Sequence, residues 1–448
     1  MDFVETCRRF IAIDSTPSCG SREIASVAAA LCRDRGLDVE LQDEVHDGLD
    51  QANLIARPRG VGRPAAEFML QNHLDTADPG PFQMWAQNGQ NPFDATIIDG
   101  KIHGLGTAST KLDFLCKLEA MASFAGRSSW TLPPVLVGTY GEETGMTGAL
   151  KLIRKNKISA KMALIGEPTD LRLVSAAKGF ANVEIRLPFS EEENRYRREH
   201  DLRESTSTQS RIFRGKAVHS SVPHLGDSAI VKMLDSLTQL PDGVVVMEID
   251  GGLSTTTVPA HAFLEIEVAN VRDPIAPKIR RIHEAVRELE REFQAYKDPD
   301  FLPDTPTLNI GLIRTEEEHV QFSGSCRLPP LITQETYEKW MENLRRVCAD
   351  LGGYFRVTDY KKPFRTPAQS ILVKGCLDEL RALGLPDRVT TQASTNEASL
   401  FSRTGVDCAC FGPGSRENNI HTPDEHVRLE DLHRATEFYR RVIERFCL

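Results

Sequence analysis

The chain has 448 residues, of which 40% are hydrophobic and 26% are charged, and its formal net charge is −10. This length is enough for two or three domains that each bury a core. An acidic surface argues against nucleic acid or an anionic membrane as a partner. No apolar run reaches the roughly 20 residues that a membrane helix needs. Residues 1–13 lack the apolar core of a secretory signal, and the scattered cysteines favour reduced thiols and a cytoplasmic protein.

The first 177 residues alternate helical segments with short apolar strands. In chain order we predict a helix at residues 24–31, a strand at 68–70, a helix at 113–124, a strand at 135–137, a helix at 148–155 and a strand at 162–165. This alternation is typical of an α/β fold, in which helices cover a mostly parallel sheet.

The pattern changes after Gly179. Strands are predicted at residues 181–187, 244–249, 262–268 and 307–313, and helices at residues 275–293 and 333–351. Two helices on one antiparallel sheet describe a small α+β domain. The highly charged residues 190–211 are interpreted as a solvated surface insertion.

The α/β pattern returns after Pro363, with helices predicted at residues 371–383 and 397–403 and a strand at 406–411. We therefore predict a metal-binding catalytic domain made of residues 1–177 and 364–448. Residues 178–363 would form an inserted α+β domain that acts as a lid and in dimerisation.

Polar residues follow four of the apolar strands at their carboxyl ends. His73 follows the first strand, and Glu142 and Glu143 follow the second. Glu167 follows the third strand, and His421 lies on the loop after the fourth. Singly, each is typical of a surface or capping residue. Because ligands of open α/β sheets bind beyond the carboxyl ends of the strands, their joint occurrence predicts a site for zinc or a similar divalent ion.

Seven short motifs lie along nearly the whole chain, in a specific order and with specific spacing. They are HLDT at residues 73–76, GLGTASTK at 104–111, GEE at 141–143, GEPT at 166–169, VHSSVP at 218–223, FGPG at 411–414 and HTPDE at 421–425. In these motifs the chain resembles the zinc-dependent deacylase and exopeptidase family that includes acetylornithine deacetylase, succinyl-diaminopimelate desuccinylase and glutamate carboxypeptidase.

The resemblance implies a metal centre with two pairs of ligands. His73 and Glu167 would bind one zinc ion, and Glu143 and His421 would bind the other. One or two divalent ions are expected, with cobalt or manganese as alternatives to zinc.

The resemblance also implies three supporting roles. Asp75 would orient His73 through its other ring nitrogen, and Glu142 would be the general base. His219, in the inserted domain, would stabilise the oxyanion of the tetrahedral intermediate. In this family that histidine can come from the neighbouring subunit of a homodimer formed through the inserted domain. A surface turn histidine is the alternative interpretation.

The family pattern is broken at Ser109. The family has an aspartate there that bridges both metal ions, and a neutral hydroxyl cannot replace its charge. Two dications about 3.5–4 Å apart repel strongly unless anions lie between them. Asp113 lies about one turn further on and is not expected to replace it. Either the site holds fewer ions, another ligand enters it, or the substitution disables an active parent. Ser109→Asp is expected to raise the bound metal.

Two further residues are candidates for substrate binding. The planar fork of Arg327 suits a substrate carboxylate, although an ordinary surface arginine fits its position equally well. Glu397 lies in an Asn-Glu-Ala run that resembles the Thr-Glu-Ala of acetylornithine deacetylases. It would either face a substrate ammonium group or act as a first-turn acid favoured by the helix dipole.

The resemblance thus implies an enzyme that hydrolyses an amide bond of an N-acyl amino acid or small peptide by metal-activated water. The alternative is a catalytically silent or single-metal homologue, either natural or an engineered Asp-to-Ser variant at Ser109, that binds such ligands without turnover.

Overall fold

The computed structural model describes residues 2–200 and 208–448 and divides into two compact units. The first unit comprises Met1–Ala176, Phe364–Thr391 and Asn396–Leu448, and the second comprises Ala177–Pro363 and Gln392–Thr395. The first boundary therefore lies one residue before the predicted one. The sequence did not indicate that the short segment near residue 392 belongs to the second unit.

The described helices and strands follow one another along both units. The α-helices are α1 (Phe3–Ile11), α2 (Arg22–Asp34), α3 (Lys111–Ala122), α4 (Thr147–Lys155), α5 (Glu191–His200), α6 (Ala229–Thr238), α7 (Ile275–Phe293), α8 (Gln334–Asp350), α9 (Ile371–Ala382), α10 (Ala398–Phe401) and α11 (Leu429–Cys447). The strands are β1 (Leu37–His46), β2 (Leu49–Pro58), β3 (Glu67–His73), β4 (Thr96–Ile98), β5 (Lys101–His103), β6 (Pro134–Thr139), β7 (Ala160–Gly166), β8 (Leu173–Ala177), β9 (Gly179–Pro188), β10 (Gln209–Arg214), β11 (Val244–Gly251), β12 (His261–Val268), β13 (Thr307–Thr315), β14 (His319–Leu328), β15 (Tyr354–Lys361), β16 (Phe364–Arg365), β17 (Val389–Gln392), β18 (Asp407–Phe411) and β19 (His426–Arg428).

The main sheet of the first unit has the strand order β1-β2-β6-β3-β7-β18-β8-β16, with β17 paired to β8. Its four central strands, β6, β3, β7 and β18, are parallel, whereas β1, β2 and β8 pair antiparallel. The predicted α/β class is confirmed. The β1–β2 hairpin was missed because its first strand, LDVELQDEVH, is rich in acidic and amide residues and alternates poorly in burial.

Helix α11 packs against two of the strands that carry predicted site residues. The ring of Phe446 lies 5.4 Å from that of Phe68 on β3, and the ring of Phe438 lies 4.1 Å from that of Phe411 on β18. All four side chains belong to or border the main core of this unit. Aromatic packing of this kind contributes beyond the buried area alone, so one helix fixes the spacing of both strands.

The second unit is an antiparallel sheet with helices packed on it. Its strand order is β10-β12-β11-β13-β14-β9-β15, and helices α6, α7 and α8 contact its strands. The predicted helix at residues 275–293 is confirmed as α7, which buries the apolar face that its periodicity indicated. None of the helices described in either unit is long and apolar enough to cross a membrane.

The charged segment at residues 190–211 differs from the predicted solvated insertion. Glu191–His200 forms α5 and Gln209–Arg214 forms β10, while residues 201–207 lie outside the described part of the chain. Glu193 is buried and accepts the backbone N–H of Ile275 at 2.8 Å. Burial raises the pKa of Glu193 to about 7. The charged segment therefore includes one buried carboxyl group, that of Glu193, which the sequence did not indicate.

A buried polar network joins β3, α3 and α11. The carboxylate of Asp113 lies 3.0 Å from Lys117 Nζ, and it accepts hydrogen bonds from Asn72 Nδ2 at 2.8 Å and Tyr439 OH at 2.7 Å. Lys117 also donates to the backbone oxygen of Gln71 at 2.8 Å. The carboxylate of Asp113 is thus occupied by buried contacts to Lys117, Asn72 and Tyr439. This agrees with the expectation that Asp113 does not replace the missing bridging aspartate.

The network predicts a large stability loss for Asp113→Ala. The variant leaves the buried Lys117 ammonium without its counter-charge, which should cost about 3–5 kcal/mol in free energy of unfolding, measured by urea denaturation. Asp387→Ala, which removes a partially exposed partner of Arg381, should cost no more than about 1 kcal/mol. Equal losses in the two variants would contradict the assigned role of Asp113.

Candidate metal centre

The predicted metal ligands come from the four central parallel strands. His73 ends β3, Glu142 and Glu143 begin three residues after the end of β6, and Glu167 directly follows β7. His421 lies on the loop between β18 and β19. Because neighbouring parallel strands end at the same edge of a sheet, these side chains are directed to one region of the first unit.

Three of these side chains form a metal-sized cluster. His73, Glu142 and Glu143 each offer a donor atom, and these atoms all lie within 4.8 Å of one another. The Nε2 atom of His421 lies 3.1 Å from Glu143 Oε1. Four of the five predicted ligand or base residues therefore come together as imidazole and carboxylate donors.

Asp75 contacts both the glutamates and the histidine of the cluster. Its carboxylate accepts the backbone N–H groups of Glu142 at 3.2 Å and Glu143 at 3.0 Å. The Nδ1 atom of His73 lies 3.0 Å from the backbone oxygen of Asp75 and 3.6 Å from its carboxylate. A hydrogen bond from Nδ1 to that carbonyl leaves Nε2 of the neutral ring as the electron-pair donor.

Burial and neighbouring charges shift the pKa values of the two glutamates in opposite directions. Burial raises the pKa of Glu142 well above its usual value against the opposing charge of His73. Burial also acts to raise the pKa of Glu143, but the hydrogen bond and charge of His421 lower it overall. The pair therefore combines a carboxyl group that holds a proton readily with an anionic donor.

Ser109 lies on a loop that is held by a buried carboxylate. Glu425 accepts the backbone N–H groups of Gly106 at 3.1 Å, Ala108 at 2.8 Å and Ser109 at 2.9 Å. The next residue, Thr110, has a φ of 113°, which is a strained conformation for a β-branched residue. These contacts fix the position of Ser109 within the buried interior of the unit.

The same strained turn is attached to the first metal ligand. The hydroxyl of Thr110 donates to the backbone oxygen of His73 at 2.8 Å. Ser109 is therefore adjacent in the chain to a residue that is hydrogen-bonded to the His73 backbone.

Glu167 forms an ion pair that the sequence did not indicate. It is buried, and its Oε2 lies 2.8 Å from Nη2 of Arg416 on the loop that follows β18. It does not belong to the cluster formed by His73, Glu142 and Glu143 among the described residues. The sharing of one ion by His73 and Glu167 stays a prediction.

Glu397 faces the interior of the first unit. Its carboxylate accepts hydrogen bonds from the Gln71 amide and, at 2.8 Å, from the Thr139 hydroxyl. Burial raises the pKa of Glu397 to about 7, against the lowering effect of His73. The side chain thus joins β3 and β6, and Glu397 is also the N-cap residue of α10.

The remaining predicted residues lie together in the second unit. His219 Nδ1 accepts the backbone N–H of Ser221 at 3.2 Å, so the neutral ring carries its proton on Nε2. Arg327 is only 5% exposed, stacks over Phe180 at 4.4 Å and reaches the Ser220 hydroxyl at 3.5 Å. The interpretation of Arg327 as an ordinary surface arginine is therefore wrong.

Sequence reasoning missed two residues of this site. Glu425 was part of a recognised motif but received no role, although its position at the end of HTPDE was a usable signal. Arg416 stands in a loop of polar residues, and no spacing rule indicates that its side chain returns to Glu167. Only the folded loop brings these two charges together.

The donor set fits one divalent ion. His73, Glu143 and His421 supply two imidazoles and one carboxylate, with Glu142 beside them, which are ligands that zinc and related ions prefer. A second ion does not fit the observed arrangement, because Glu167 is paired with Arg416 and Ser109 offers only a neutral hydroxyl. The fold and the donors are those of an α/β protein with a site for a divalent ion.

The chain belongs to the peptidase family M20/M25/M40, whose sequence model matches residues 69–445. It is similar to the acetylornithine deacetylase of Proteus mirabilis, with 25% identity over 464 aligned positions that cover 100% of this chain and 97% of the relative.

Two solved structures show the same fold. One is an M20-family metallo-carboxypeptidase from Sulfolobus solfataricus, with 18% identity, a TM-score of 0.63 and coverage of 99% of both chains. The other is a Bacillus subtilis protein described as a dinuclear metal-binding peptidase, with 11% identity, a TM-score of 0.52 and coverage of 98% of this chain and 96% of that one. Family membership and these relatives support metal-dependent amide hydrolysis as the general activity.

The Glu425 contacts predict that Glu425→Ala loosens the loop that carries Ser109. The free energy of unfolding should fall by at least about 3 kcal/mol, because each buried N–H left without its acceptor costs about 1–3 kcal/mol. Hydrogen exchange of the Ala108 and Ser109 amides should accelerate. Glu417→Ala, at an exposed position earlier in the same loop, should change neither quantity. Unchanged amide protection in Glu425→Ala would show that the carboxylate does not hold the loop.

Proposed function

We propose that the protein hydrolyses the amide bond of an N-acyl amino acid or a small peptide and that zinc is its divalent ion. The observation that supports this most directly is the cluster of His73, Glu142 and Glu143, with His421 beside Glu143, in a chain similar over its whole length to acetylornithine deacetylase. The choice of N-acyl amino acids as substrates rests on the similarity to acetylornithine deacetylase.

The residues of the first unit divide into donors and a proton carrier. His73, Glu143 and His421 would hold the ion, which when bound polarises the scissile carbonyl and makes water a better nucleophile. Glu142 would take a proton from the attacking water as the C–O bond forms and the carbonyl oxygen becomes an oxyanion. It would then pass this proton to the amide nitrogen, so that the C–N bond breaks, the carbonyl re-forms and the amine leaves. Asp75 positions both glutamates through their backbone N–H groups.

The residues of the second unit would recognise the substrate. With its proton on Nε2, His219 is suited to donate a hydrogen bond to the developing oxyanion. Arg327, held by Phe180 near the same segment, would bind a substrate carboxylate. We further propose that the chain forms a homodimer through the inserted unit and that His219 acts on the partner's site. The role of Glu397 toward a substrate ammonium group stays a prediction.

A second candidate function is supported by Ser109 and by the Glu167–Arg416 ion pair. In this alternative the chain binds N-acyl amino acids or peptides without turnover. The two candidates differ in one observable, the release of product.

The proposed function is tested by incubating the purified chain with a panel of N-acyl amino acids and dipeptides and with added zinc, cobalt or manganese. Release of free amino acid by the metal-loaded chain, abolished by a chelator, is the expected result. Binding of panel members without release would support the alternative, and neither binding nor release across the panel would reject both.

Glu142→Gln should lower turnover by roughly 10²–10⁴-fold, because a positioned general base is lost while its shape is kept. Metal content, measured by elemental analysis, should stay at the wild-type level. Glu417→Gln at an exposed position provides the matched control and should leave turnover unchanged. Wild-type turnover by the metal-loaded Glu142→Gln variant would exclude the proton-transfer role.

The homodimer proposal predicts complementation between two inactive variants. Loss of His219 as an oxyanion donor in His219→Ala should lower turnover by roughly 10²–10³-fold. In mixed dimers of His219→Ala and Glu142→Gln, one site would contain both intact residues. After subunit exchange at equal amounts, about a quarter of wild-type turnover should return, as twofold symmetry requires.

Sedimentation of the wild-type chain is the control for this experiment. A monomer at the assay concentration, with no recovery on mixing, would contradict both the dimer and the action of His219 on the partner's site.

A further inference from the structure

We propose that the guanidinium of Arg416 takes the place of a second metal ion, so that this chain holds a single divalent ion. The inference concerns the site of the proposed function and rests on it only for the identity of that site. It assigns a charge-compensating role to a residue that no motif of the sequence singles out.

The ion pair between Arg416 and Glu167 has the geometry of a strong charged contact. Nη2 of Arg416 lies 2.8 Å from Oε2 of Glu167. The Glu167 side chain is 4% exposed and that of Arg416 is 38% exposed, so the cation enters from the solvent side onto a buried anion. A buried carboxylate is costly unless it is paired, and the arginine guanidinium stays charged at every physiological pH.

The ion pair lies next to the strand that carries His73. Glu167 directly follows β7, which pairs in parallel with β3, and β3 ends at His73. Arg416 lies on the loop between β18 and β19 that also carries His421, whose Nε2 is 3.1 Å from Glu143 Oε1. A second dication bound at Glu167 would therefore meet the positive charge of Arg416, which repels it.

The charges at two positions of the site differ from the pattern that the family resemblance implies. At Ser109, where the resemblance places a bridging carboxylate, one negative charge is missing. At Glu167, where it places a divalent ion, the structure has the single positive charge of Arg416. The loss of one anion at Ser109 and the exchange of a dication for a monocation at Arg416 leave the net charge of the site unchanged.

This balance revises the expectation for Ser109→Asp. An aspartate alone would restore the bridging charge, but Arg416 would still be bound to Glu167, the other carboxylate that a second ion would need. The two positions should therefore be coupled, so that a second ion binds only when both are changed.

The test is a count of bound zinc per folded chain by elemental analysis, after chelation, reconstitution and removal of free metal. Wild type, Ser109→Asp and Arg416→Met should each hold about one equivalent, and the double variant Ser109→Asp/Arg416→Met should approach two, as expected when a bridging carboxylate lies between dications. Pairing Ser109→Asp with Arg416→Lys, which keeps the positive charge, should hold about one equivalent.

A second control pairs Ser109→Asp with Arg440→Met, because Arg440 forms ion pairs with Glu437 and Glu444 on α11. This variant should behave like Ser109→Asp alone. Two equivalents in wild type or in Ser109→Asp alone, or only one in the folded double variant, would overturn the inference.

Cobalt titration of the wild-type chain, followed by its visible absorption, decides the question without any variant. An end point at about one equivalent supports the inference and an end point at two overturns it. The metal count needs no substrate. A chain that holds one ion and cleaves nothing would reject the proposed function alone, and a chain that cleaves with two ions would reject only the role of Arg416.

Discussion

Negative charge on buried and half-buried carboxylates is the constraint on which the rest of this site depends. Glu142, Glu143 and Glu167 are carried to one edge of the sheet, and mutual repulsion would force them apart or protonate them without compensation. Two separate contacts offset this repulsion in the structure: His421 lies against Glu143, and Arg416 lies against Glu167. A divalent ion held by the cluster would add to this compensation, so metal binding would stabilise the folded geometry.

The scaffold holds these charges in place with contacts that are themselves buried. Helix α11 fixes β3 and β18 through its phenylalanine rings, and the Asp113 network ties β3 to α3 and α11. Glu425 holds the strained loop that carries Ser109. Because each support satisfies backbone or side-chain polar groups away from water, small displacements are costly, which favours a preorganised site.

Ser109 has a different meaning in the sequence and in the structure. In the sequence it is a missing ligand, and it suggests either an impaired enzyme or a silent homologue. In the structure a cation on the loop after β18 pairs with Glu167, and in our proposal this cation offsets the missing carboxylate at position 109. One bound ion is chemically sufficient for amide cleavage, since it can polarise the carbonyl and activate water.

The sequence alone determined the α/β class, the strands that precede His73, Glu143 and Glu167, and the identity of the clustered donors, because apolar runs and motif spacing are local features. It missed the β1–β2 hairpin, whose polar first strand hides its pairing. Only the tertiary structure decided that Glu167 pairs with Arg416, because their 249-residue separation leaves no local signal. Such contacts depend on how a loop closes onto the sheet edge, and that closure is set by packing and charge compensation across the whole unit.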